Sequence, residues 1–120
     1  MDLDTKAQRY AAAYRARERS RRSALASRAA ELRALLPEAA ARLRRDFGAS
    51  RVGIFGSLAR DAFDEGSDVD IYVDHITGGA YFQAVDQLCR LLGEAVDLVE
   101  LTRAPASLRE HIEAEGEDVH

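Results

Sequence analysis

Apolar positions along this chain change period several times, and each change marks an element. Residues 4–36 are rich in Ala, Arg, Glu and Leu and hold no Gly or Pro, which predicts a long helix. Tyr10 and Tyr14 share one of its faces, and Leu25, Ala29, Leu32 and Leu36 follow a helical stripe. Pro37 disfavours helical geometry at Leu36 and suits the first turn of a new helix. A break or kink is therefore expected there, followed by a second helix over 37–46, with Leu43 and Phe47 facing the core and Gly48 as its C-cap.

The period then falls to two. Arg51 to Phe55 reads as a strand with Val52 and Ile54 on one face, and a short helix over about 57–62 follows the Gly56-Ser57 turn. After a polar loop, Val69 to Val73 alternates cleanly, with Val69, Ile71 and Val73 toward the core and Asp68, Asp70, Tyr72 and Asp74 on the other side. Residues 80–92 return to helical spacing, placing Phe82, Val85, Leu88, Cys89 and Leu92 on one face. Ala95 to Leu101 reads as a third strand, with Val96 and Leu98 opposite Asp97 and Val99. Ser107-Leu108-Arg109-Glu110 has the form of a capping box opening a last helix over about 108–115, packed down by Leu108 and Ile112. The order is that of an α/β (α+β) fold, a small sheet with helices packed on it. It divides into a basic helical arm at 1–36 and a folded domain at 37–120.

Composition bounds this picture. A chain of 120 residues holds one core. The single cysteine, Cys89, allows no internal disulfide and fits a reducing compartment. No apolar run reaches membrane-span length and no apolar leader follows the start, so a cytoplasmic protein with no membrane partner is expected. Charge is divided: residues 1–46 carry a balance of +6 and residues 47–120 a balance of −10. An acidic body argues against nonspecific nucleic-acid binding, which is driven by phosphate neutralisation. The basic arm stays open between a solvated helix, a partner-binding arm and a nucleic-acid contact.

Candidate chemistry concentrates between Gly56 and Asp74. Asp68 and Asp70 are two apart, so a strand presents both carboxylates on one face, where they can bridge hard cations. Gly56 permits a tight turn and close approach of a ligand to the backbone, and Ser57 adds a hydroxyl donor, where an ordinary strand-to-helix turn is the alternative. The N–H groups of the helix that follows favour phosphate. Asp97 lies in an apolar run, where a buried carboxylate needs a partner such as a metal; an edge-strand acid facing water is the alternative. Arg60 could bind phosphate or pair with Asp61 or Asp64. Asp61, Asp64, Glu65 and Asp74 read as a solvated rim.

Taken together, Gly56-Ser57, a spacer of ten residues, Asp68-Val69-Asp70 and then Asp97 resemble the nucleotidyltransferase superfamily of the DNA polymerase β type. Gly-Ser-Leu-Ala-Arg at 56–60 and the short chain make it similar to the minimal nucleotidyltransferase branch, whose well-known members are antitoxins paired with HEPN-domain toxins. The resemblance spans about residues 38–116, and the long helix before Pro37 departs from the shortest members. It implies a small mixed sheet. It also implies two Mg²⁺ ions on Asp68 and Asp70, with Asp97 sharing one of them and acting as general base. ATP would be held through its phosphates by Gly56, Ser57 and Arg60, and AMP would pass to a tyrosine of the partner toxin. A non-catalytic antitoxin that neutralises by binding, and a transferase acting on RNA or a small molecule, remain as alternatives.

Overall fold

The computed structural model describes residues 3–120. Its elements are α1 (Leu3–Phe47), β1 (Val52–Phe55), α2 (Gly56–Ala59), β2 (Val69–Val73), α3 (Tyr81–Leu92), β3 (Val96–Glu100), α4 (Ala106–Glu115) and β4 (Glu117–Asp118), with one 3-10 turn at Leu101–Arg103. The four strands form a mixed sheet in the order β3-β2-β1-β4. β1 pairs antiparallel with β2 and β4, whereas β2 and β3 run parallel.

The first finding is that α1 is one helix of 45 residues running through Pro37, so the expected break is absent. At about 1.5 Å per residue it spans about 67 Å, which sets the molecule's longest dimension of 69 Å. Proline removes the hydrogen bond to the carbonyl four residues back, here that of Arg33, at a cost of about 3 kcal/mol. Pro37 lies on the solvent side, where water can serve that carbonyl. On the opposite side Leu32, Leu36, Ala39, Ala40, Leu43 and Phe47 are all buried. Burying Leu and Phe side chains contributes about 1.5–3 kcal/mol each, so packing on both sides of Pro37 outweighs the lost bond. Arg28 and Arg33 add polar ties to the body: Arg28 pairs with Glu94 at 2.8 Å, and Arg33 donates to the Leu58 carbonyl at 3.0 Å.

The sheet divides two apolar clusters. Helices α1 and α3 cover one face, burying Val52, Ile54, Val69, Ile71, Val73, Leu88, Leu92 and Leu98. Phe55, Tyr72 and Ile112 pack together on the other, with Val99 and Leu108 beside them. The strand alternation therefore reads correctly on β1, β2 and β3. Gly53 lies under the Tyr72 ring, where a Cβ would overlap it. The Tyr72 hydroxyl donates to Asp118 at 2.6 Å, and the Arg51 guanidinium sits 5.3 Å from the ring centre while pairing with Glu113 and Asp118. These bonds fasten β4, which the sequence reading missed, to the sheet edge.

Three local expectations fail. Phe82 does not face the core: it is 82% exposed, while Tyr81, Ala84, Val85, Leu88, Leu91 and Leu92 form the packed stripe of α3. A shift of one residue turns a helical side chain by about 100°, and both Tyr81 and Phe82 are large enough to claim the position. Ser107 is not an N-cap, because α4 begins at Ala106 after Pro105 with no side-chain cap bond. Asp74 is not a solvated acid. It accepts the backbone N–H groups of Ser50 at 2.9 Å and Arg51 at 3.1 Å, pinning the entry to β1. Burial would raise its pKa, but these bonds and that from His75 hold it below the ordinary value. No helix among the described residues is long and apolar enough to cross a membrane.

Candidate active site

Strand pairing assembles the candidate site. In the β1–β2 register Asp70 lies opposite Phe55, the last residue before the Gly-Ser turn. In the parallel β2–β3 register it lies opposite Asp97. Asp68 stands two residues before Asp70, just outside β2. The sheet thus places Asp70 between the Gly56-Ser57 turn and the third carboxylate. Neighbouring strands are about 4.8 Å apart, so Asp70 is the central member of the three.

Gly56 explains why the turn and the carboxylate belong together. Its φ of +69° lies in the left-handed region that favours glycine, and a Cβ there would overlap the Asp70 carboxylate. The chain therefore passes against Asp70 at the only kind of residue that leaves it room. Ser57 follows within α2, which is one turn long at Gly56–Ala59 rather than the expected six residues. So short a helix has little dipole, and the Ser57 hydroxyl and the turn's own N–H groups are the donors that count.

The electrostatics of Asp70 report the cluster. Half-burial, then the charges of Asp97 and Asp68, push its pKa up from 3.8 to about 6, while Arg60 opposes the rise. Three carboxylates thus share one end of the sheet with one guanidinium near them. Arg60 pairs neither with Asp61 nor with Asp64, as one reading had it, but lies 3.8 Å from Glu115 and is half exposed. Asp61 and Asp64 are taken by Arg33 and Arg21 of α1. Asp97 is exposed on the edge strand β3, so the cost of burial is not what demands a partner for it. Its place beside Asp70 is the stronger argument.

Among the described residues no set of three or more His, Cys, Asp or Glu side chains is gathered closely enough to hold a metal ion by itself. Mg²⁺ would not require such a set, since it keeps several waters and is usually held by one or two carboxylates together with substrate phosphates. The donor set fits: hard oxygen ligands only, with an Asp70 whose ionised form is destabilised by its neighbours and would be relieved by a cation. Tyr72 shares this side of the sheet but is 1% exposed and committed to packing and to Asp118, so it does not line the site.

Comparison with known proteins adds to this geometry. A family model described as polymerase beta, nucleotidyltransferase, matches residues 40–120. A solved minimal nucleotidyltransferase is 31% identical with a TM-score of 0.68, and the match covers 76% of this chain and 95% of that one. A toxin–antitoxin solved with AMP-PNP is 26% identical with a TM-score of 0.60, over 68% of this chain and 70% of that one. An MntA–HpeT toxin–antitoxin variant, in which two aspartates two positions apart are replaced by glutamate, is 25% identical with a TM-score of 0.56, over 63% and 64%. Comparison with curated proteins gave no match.

Proposed function

The chain belongs to the polymerase β-type nucleotidyltransferase family, and from that premise we propose that it is an antitoxin which transfers AMP from ATP to a tyrosine hydroxyl of a HEPN-domain toxin. The observation that carries the catalytic part is the Gly56–Asp70 contact, with Asp68 and Asp97 flanking the same carboxylate. The antitoxin part rests on the likeness to toxin–antitoxin structures, one of them with AMP-PNP and one altered at an aspartate pair of the same spacing.

In this reading Asp68 and Asp70 would hold two Mg²⁺ ions, and Asp97 would be a further ligand. When bound, the ions neutralise the triphosphate and the charge that grows on the leaving pyrophosphate. The chain's own residues do the rest. Ser57 and the backbone at Gly56 hold the β- and γ-phosphates, and Gly56, having no side chain, leaves the Asp70 carboxylate room beside that turn. Arg60, half exposed at the rim, adds positive charge on the phosphate side. Asp97, exposed at the sheet edge, accepts the proton of the acceptor hydroxyl. The new bond joins that oxygen to the α-phosphorus, the bond from the α-phosphorus to the bridging oxygen breaks, and pyrophosphate carries away the electron pair. Most of the rate enhancement would come from positioning.

The test is label transfer. Purified protein, α-labelled ATP and Mg²⁺ are incubated with host lysate, beside the Asp68→Asn/Asp70→Asn double variant. A protein band labelled by the wild type and not by the variant is expected. Labelled RNA would replace the acceptor in this reading. Neutralisation of the toxin retained by the variant would mean that binding alone suffices and would overturn the catalytic reading.

A further inference from the structure

The outer half of α1 lies beyond the buried part of the helix, tied to the body by side chains such as Arg21, and takes no part in the transfer reaction, yet it is built for contact. Tyr14, Leu25 and Leu36 are eleven residues apart in turn, close to three helical turns, so they share one stripe. At Leu36 that stripe is 6% exposed in the core and at Tyr14 it is 54% exposed; Tyr10, one turn further out beside it, is 71% exposed. The helix therefore carries its core-facing side past the edge of the body. In the corner between helix and body lies a groove of about 530 Å³, with Leu25, Ala26 and Ala29 on one wall and Phe63 on the other.

Two ion pairs brace that corner. Arg21 reaches Asp64 at 2.9 Å and Arg33 reaches Asp61 at 3.5 Å, one toward each end of the groove. The twelve helical steps from Arg21 to Arg33 span about 18 Å, or about three turns of an accompanying helix. Outside the braces the arm is strongly basic. Among the described residues Lys6, Arg15, Arg17, Arg19 and Arg22 make no ion pair, and the only carboxylates described on that stretch are Asp4 and Glu18, the latter paired with Arg21.

We propose that this groove and the adjoining arm dock an amphipathic helix of a partner protein, its apolar ridge seated on Leu25, Ala29 and Phe63 and its flank on the arm side lined with carboxylates that meet the arm's arginines. Charge decides among occupants. A second copy laying its own arm there would set two rows of arginines side by side, which is repulsive. A nucleic acid would gain nothing from the apolar walls and would face Asp61, Asp64 and Glu65. The wall at 61–64 belongs to the loop joining Ser57 to Asp68, so a protein docked here is held next to the candidate site. The geometry of docking does not depend on the transfer reaction, which only gives it a purpose.

The test uses a fluorescent synthetic helix of about eighteen residues, long enough to fill the groove, with Leu on one stripe and Glu on one flank of it, and a counterpart with Lys in place of Glu. Binding is read by anisotropy to the full chain. The Glu helix should bind and the Lys helix should not. Affinity should fall about tenfold or more in Arg15→Glu/Arg19→Glu/Arg22→Glu, which alters exposed groups only, and in high salt. Leu25→Asp should abolish binding with the circular dichroism unchanged. Asp68→Asn/Asp70→Asn should bind as the wild type does, which separates docking from catalysis. Equal binding of both helices, no binding of either, tighter binding of a duplex RNA that displaces the Glu helix, or self-association lost in Leu25→Asp would each overturn the proposal.

Discussion

Replacing Asp70 by Asn should make the protein more stable while removing its activity. The folded state raises the Asp70 pKa from 3.8 to about 6, through burial first and then the charges of Asp97 and Asp68. Between those values the folded chain binds a proton that the unfolded chain has released. Stability therefore falls as pH rises from about 4 to about 6 and stays reduced above it. A rise of about two units corresponds to roughly 3 kcal/mol at 1.36 kcal/mol per unit. Asp70 is only half-buried, and solvent screening reduces this to about 1–2 kcal/mol. Asparagine keeps the shape and removes the charge, so the variant should gain about that much at neutral pH. For a chain of this size that is about 3–8 °C in Tm.

The assay is thermal unfolding of both proteins at pH 7.5 and pH 4.5. The gain should be present at the higher pH and should shrink toward zero at the lower, where the wild-type carboxyl is itself protonated. Added Mg²⁺ should raise the wild-type Tm at pH 7.5, by mass action on a folded-state site, and leave the variant nearly unmoved. An Asn variant that melts with or below the wild type at pH 7.5 would refute the argument. So would a gain that does not change with pH, because a charge conflict must titrate.

Other substitutions probe other links in the chain of reasoning. Gly56→Ala meets both a φ of +69° and the Asp70 carboxylate, so it should lower stability by about 1–3 kcal/mol and abolish transfer, read by denaturant titration and label incorporation. Pro37→Ala should restore the bond to the Arg33 carbonyl and stabilise the chain by about 1–3 kcal/mol in a urea melt. Tyr72→Phe removes a hydroxyl bonded to Asp118 and should cost about 1–2 kcal/mol, with proteolysis at the C-terminal edge increased. Phe82→Ser should change stability by less than about 0.5 kcal/mol, since Phe82 is 82% exposed, whereas Tyr81→Ala should cost several times more.

The parts of this fold legible in the sequence are those with local causes. Alternation in Val69–Val73 and Val96–Val99 follows from side chains pointing to opposite faces, and the structure keeps it. The Gly-Ser turn and the acid pair are adjacent in space because β1 and β2 are antiparallel neighbours, which their spacing allows. What escaped was set at a distance. Two residues of β4 are too few to show a period, and they are held to the sheet by partners distant in sequence, among them Tyr72 and Arg51 on Asp118 and Arg33 on Glu117. Asp74 looks like its acidic neighbours until two N–H groups from the other end of the motif are found on it. Asp97 lies in a run apolar enough to look buried, yet its strand is at the sheet edge, and sequence does not say which strand that is.

The long helix shows how one physical cause can serve both fold and function. A segment like residues 3–28 on its own must start a helix before it can extend one, and starting costs far more than extending. Here the start is already made: Leu32 to Phe47 are packed on the sheet, and the outer half extends a helix that the core has nucleated. The family model begins at residue 40, inside that packed half, so the arm is carried by the shared fold without being part of the match. Pro37 lies between the two halves and removes one hydrogen bond without shifting the stripe. A continuous helix keeps Tyr14 and Leu25 on the face of Leu36, whereas a break would have let the arm turn its arginines anywhere. The packed core thus fixes the direction of a surface beyond its own edge, and Arg21 and Arg33 brace that surface against the loop leading to Asp68.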